Sequence, residues 1–77
     1  MNTTVIPDEK VTRTRRFSIV RGNRSDSAMF RILFDSIEND ILLYDIISIQ
    51  PEYQYIYPER LHESDVLILT VTYRTYL

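Results

Sequence analysis

Cysteine and tryptophan are absent, glycine and histidine occur once each, and proline three times. Without cysteine there is no disulfide framework, no zinc–thiolate site and no thiol nucleophile. A single glycine, Gly22, cannot build a GxGxxG or Walker-type loop, so cradling of phosphate by backbone amides is unsupported. A single histidine, His62, excludes the HExxH and paired-imidazole metal sites. Long apolar runs are also missing. The longest, Ile41–Tyr44 and Val66–Leu69, fall far short of the ~18 residues that span a bilayer. Met1–Lys10 contains Pro7, Asp8 and Glu9 and has no apolar stretch of the signal-peptide kind. The expectation is a cytoplasmic protein with no membrane partner.

What remains is a chain of 77 residues, 44% hydrophobic and 26% charged. That is room for one domain, hiding about 60% of the surface its extended chain would expose. A two-domain enzyme and a large buried cofactor site do not fit. The formal charge of −2 conceals a segregation. Residues 10–31 hold Lys10, Arg13, Arg15, Arg16, Arg21, Arg24 and Arg31 against Asp26 alone. Residues 32–77 hold eight carboxylates against Arg60 and Arg74. Such asymmetry marks either a basic binding face or a basic segment folded against its own acidic half.

The pattern of residues gives a coarse map. Residues 1–10 are polar and aperiodic, which predicts a flexible tail before a single domain over 11–77. Val11 to Arg21 is β-branched and alternating, a strand with Arg13, Arg15, Phe17 and Ile19 on one side and Arg16 on the other. Gly22-Asn23 ends it, with Gly22 suited to a positive φ. Ser25 is placed to cap a helix whose first turn carries Asp26. Met29, Phe30, Ile32, Leu33, Phe34 and Ile37 follow at helical spacing, and the helix should stop near Asn39-Asp40. Ile41–Gln50 is rich in isoleucine and reads as a central strand; Pro51-Glu52 reads as a corner. Tyr53–Tyr57 is a short extended run closed by Pro58, and a charged loop follows. Val66–Tyr76 alternates most clearly of all. The expected order is β-α-β-β-β. It implies an α+β, two-layer sandwich, with one helix packed on a mostly antiparallel sheet of three or four strands.

No catalytic set emerges. His62 sits among charged loop residues and reads as solvated. Asp35, Glu38 and Asp40 surround the expected helix end, and Glu63 with Asp65 falls short of a Mg²⁺ signature. No cofactor, metal or catalytic residue is expected, and the chain is not read as an enzyme. Two features point to binding. Arg13, Arg15, Arg16, Arg21 and Arg24 put guanidinium forks on and beside one strand, where they guard an edge or meet acidic groups. Tyr53, Tyr55 and Tyr57 alternate, so a strand would line their rings on one face as aromatic anchors. The RNA-recognition motif is the nearest template for a sheet bearing both. It needs a second helix, for which Tyr57–Val66 leaves no room, and an aromatic strand signature that is missing.

The sequence therefore predicts a small protein-interaction module that grips an acidic patch on another protein. Adaptor subunits, inhibitors and virus-encoded regulators share this profile. The same open edge would also admit a homodimer. The alternative is nucleic-acid binding through residues 10–31, disfavoured by a pI near 5.2.

Overall fold

The computed structural model describes residues 9–55 and 65–76. A first strand, β1 (Lys10–Val20), leads through the Gly22 turn to a helix, α1 (Asp26–Asp40). A short 3₁₀ turn at Leu43–Asp45 opens into β2 (Ile46–Tyr55), and β3 (Asp65–Tyr76) completes the described chain. The sheet order is β1-β3-β2, with both pairings antiparallel. One helix packed on a three-stranded antiparallel sheet is the small α+β fold expected. β1 and β2 thus run in the same direction, with β3 inserted between them and α1 in the connection.

The helix forms where its residues allow. Ser25, in extended conformation, accepts a hydrogen bond on Oγ from the Ala28 backbone N–H at 3.2 Å, and Asp26 sits in the first turn. Met29, Leu33 and Ile37, four apart, form its buried stripe. Phe30 reaches the core margin, while Ile32 and Phe34 are left outside, so the apolar face is narrower than the sequence suggests. Against the stripe pack Phe17 of β1, Ile41 after the helix, and Leu67, Leu69 and Val71 of β3. Gly22 adopts φ +57°, the left-handed conformation glycine takes without steric cost.

Three details differ from expectation. First, the central strand is β3, not the segment from Ile41. A central strand is flanked on both edges, and β3 alone buries residues on consecutive positions, Leu67, Ile68 and Leu69. Second, 41–45 is not part of the strand: Ile41 and Leu42 have extended backbone but pair with no strand, and Leu43–Asp45 is a 3₁₀ turn. The Ile41 N–H still bonds the Ile37 carbonyl at 2.8 Å and the Asp45 N–H bonds that of Leu42 at 2.9 Å, which delays the strand to Ile46. Third, Pro51 is no corner: β2 runs through it, opposite Leu69, so 46–50 and 53–55 are one strand.

The ladder explains why Pro51 is tolerated. The Arg21 N–H bonds the Asp65 carbonyl at 2.9 Å, which sets the phase of the β1–β3 pairing. Alternation along an antiparallel pair then turns the odd residues of β1 and of β3 toward each other. The even residues of β3 serve β2, whose odd residues, Pro51 included, point their backbone groups to solvent. A proline there loses no ladder hydrogen bond.

Candidate interaction surface

Side chains on the odd positions of β1 and β3 share the face covered by α1; the even ones form the opposite face. Among the described residues no element covers that second face. The register sets its rows across the three strands: Thr14–Thr72–Ser48, Arg16–Thr70–Gln50, Ser18–Ile68–Glu52 and Val20–Val66–Gln54. It carries hydroxyls, amides and the charged Arg16 and Glu52, with Val20 and Val66 beside the buried Ile68 at one end.

The arginine strand divides into two groups. Thr12, Arg13, Thr14, Arg15 and Arg16 are all exposed, so this half of β1 is open to solvent on both faces, paired with β3 and tied to α1 only through Arg15. Arg15 donates from Nη2 to Asp40 Oδ2 at 3.1 Å, a half-exposed pair of the kind worth ~0–1 kcal/mol. Its guanidinium also lies 4.7 Å from the Phe17 ring centroid, screening that core residue from water. Arg13 and Arg16 have no ion pair or side-chain hydrogen bond among the described residues.

Arg21 and Arg24 lie at the far end, with about 27 Å of strand between Arg13 and Arg21. Arg21 is a hub. Its Nε donates to Asp65 Oδ1 at 2.8 Å, Nη2 to Asp26 Oδ1, and Nη1 to the Arg24 carbonyl at 3.1 Å. The guanidinium stands 5.8 Å from the Tyr53 ring centroid. Asp65 is only 3% exposed, and Arg21 supplies its charge partner. Arg24 donates from Nη1 to the Val20 carbonyl at 3.2 Å, closing the turn. The Arg21 guanidinium, with the Tyr53 hydroxyl adding in the same direction, holds the Asp26 carboxyl below its ordinary range. Partial burial and then the Asp26 carboxylate push the Tyr53 hydroxyl above its own.

The tyrosines fall on α1's side of the sheet. Tyr53 is half-buried at the core margin beside Arg21, and Tyr55 is 55% exposed opposite Asp65. Both are thus on the face away from Arg16. Tyr57 and His62 lie outside the described residues. The structure brings Tyr53 and Arg21 together and separates them from Arg13 and Arg16.

A second cation site had no local signal in the sequence. Lys10 Nζ donates to Asp45 Oδ1, between the rings of Tyr44 and Tyr76 at 5.4 and 5.0 Å. The hydrogen bond to Asp45 raises the Lys10 ammonium above its ordinary pKa. Partners 35 residues apart leave nothing for a motif search to find. Around it Leu42, Leu43, Tyr44 and Ile47 are exposed, Tyr44 at 80%. Among the described residues no group of three or more His, Asp or Glu side chains gathers as a metal would require. Comparison with protein-family models, with characterised proteins and with solved structures finds no significant match to this chain.

Proposed function

We propose that the chain is a protein-interaction module, an adaptor, inhibitor or regulatory subunit, whose partner presents an acidic surface to β1. The observation that supports this reading is the state of Thr12–Arg16: extended, open to solvent on both faces, and carrying Arg13 and Arg16 without an ion partner among the described residues. Lys10, Arg15 and Arg21 are occupied by the chain's own Asp45, Asp40, Asp26 and Asp65. Internal neutralisation thus accounts for part of the charge segregation and leaves the middle of β1 for another molecule. Arginine suits such a contact, because its planar fork meets carboxylates in pairs and is weakly hydrated. No helix among the described residues is long and apolar enough to cross a membrane, and we take the cytoplasm as the working compartment.

The test is affinity capture from cells of the source organism with the full chain and with Arg13→Glu/Arg16→Glu. A protein held by the native chain and lost from the charge-reversed one, with circular dichroism unchanged, is the expected result. Equal capture by both chains overturns the proposal. So does an eluate whose captured material disappears on nuclease treatment, which would favour the nucleic-acid alternative.

A further inference from the structure

We infer that the outer edge of β1 is a strand-addition site, which takes an extended acidic segment of a partner protein as a fourth strand of the sheet. The inference rests on the protein-binding reading above and specifies how the partner is held.

The two edges of this sheet are not alike. The β2 edge carries Pro51, whose missing donor faces outward, and a register shift between Ile46 and Ser48. Both are devices that spoil an edge as a template. The β1 edge carries neither. Its eleven residues pair with β3 without interruption, from Lys10 opposite Tyr76 to Val20 opposite Val66. The ladder phase set by Arg21 and Asp65 turns the backbone groups of Thr12, Thr14, Arg16 and Ser18 to the outside. These are regularly spaced donors and acceptors on an uninterrupted strand whose residues Thr12–Arg16 are exposed.

Charge is the protection this edge does have, and charge is selective. Two copies pairing antiparallel through their outward residues about Thr14 would set Arg13 of each against Arg15 of the other. Like charges across a strand pair are destabilising. The same arginines favour a strand with carboxylates at those positions: Arg13 and Arg16 are available on opposite faces, and Arg15 can leave its solvated pair with Asp40 at little cost. Main-chain hydrogen bonds would supply affinity, and the arginines would choose the partner by favouring acidic strands and repelling basic ones and copies of this chain.

The test uses the full ¹⁵N-labelled chain and a blocked synthetic decapeptide of Glu, Thr and Val with Glu on both faces of the extended chain. Two further versions are N-methylated on the odd or on the even backbone amides, which disables one edge of the peptide each. The expected result is that the peptide slows exchange of the Thr12, Thr14, Arg16 and Ser18 amides at least tenfold. One N-methylated version should lose at least tenfold in affinity while the other binds like the parent. Arg13→Glu/Arg16→Glu should lose at least tenfold as well. No response of those four amides at millimolar peptide overturns strand addition; if charge-dependent capture of a protein persists, the broader reading survives its failure. Equal binding of both N-methylated versions overturns it in favour of side-chain charge alone. Slow exchange of the four amides without peptide, with a dimer mass by light scattering, overturns it in favour of a second copy. Stronger binding of oligothymidylate than of peptide to the same residues overturns it in favour of nucleic acid.

Discussion

Arg21 and Asp65 are joined twice, backbone to backbone at 2.9 Å and Nε to Oδ1 at 2.8 Å, across 44 positions of sequence. This pair of hydrogen bonds closes the β1–β3 ladder at the point where the chain turns toward α1. Through Asp26 the same guanidinium holds the first turn of the helix. One side chain thus ties the sheet, the turn and the helix start.

Asp65→Ala should therefore be costly although it removes few atoms. Breaking a buried pair by deleting one partner costs ~3–5 kcal/mol, and the bridge to Asp26 leaves Arg21 partly satisfied, so about 2–3 kcal/mol is expected. A thermal midpoint lower by ~8 °C or more is the corresponding reading. An unchanged midpoint would mean that the pair is idle.

Stability should fall at both ends of the pH scale, for separate reasons. The Asp26 carboxyl is held below its ordinary 3.8, so the folded chain binds that proton less readily than the unfolded one. Its contribution is full above that value and drains as pH falls through the lower, folded one. Lys10 is held above its ordinary 10.5 by Asp45, so its contribution is full below 10.5 and drains as pH rises through the folded value. Urea midpoints against pH should show an acid limb reduced by Asp26→Asn and an alkaline limb reduced by Lys10→Met. An alkaline limb identical in native and Lys10→Met chains would remove Lys10 from the account.

At Gly22 a side chain has room, since the nearest atom to an added Cβ is Arg24 Nη1 at 3.8 Å. The obstacle is φ +57° alone, which costs an alanine ~1–2 kcal/mol. Gly22→Ala should lose more than Gly22→Asn, because asparagine visits this conformation more readily. Ser25→Ala, which removes the helix cap, should lose about 1 kcal/mol. Alanine at 22 as stable as glycine would contradict the strain argument.

Pro51→Thr restores an outward donor to the β2 edge. The folding free energy should change by no more than ~1 kcal/mol, since no ladder bond is gained. Self-association should rise, visible as a concentration-dependent mass in sedimentation. A variant as monomeric as its parent would show that Pro51 is not what guards that edge.

Much of this fold is written locally. Ser25 before a stripe of Met29, Leu33 and Ile37, a lone glycine after an alternating strand, and the alternation of Val66–Tyr76 are each legible because a cap, a turn and a period involve neighbours a few residues apart. The start of the strand at Ile46 rather than Ile41, and the absence of a corner at Pro51, are not legible for the complementary reason. Isoleucine favours strands, but here Ile41 completes the last helical hydrogen bond, and a proline interrupts a strand only if its nitrogen faces a partner. The arginines were visible as a group; which of them meet carboxylates was not, because Asp40, Asp45 and Asp65 come from distant elements.

Sequence alone determined that one helix and alternating strands would form, where the helix begins, and that positive charge would concentrate on the first strand. Only the tertiary structure decided that β3 lies in the middle, that Pro51 faces outward, and that Arg13 and Arg16 are left over when Arg15 and Arg21 find their acids. The difference is physical. Periodicity and capping act over one turn or one strand, whereas strand order and charge pairing depend on which long-range contacts bury the most apolar surface together.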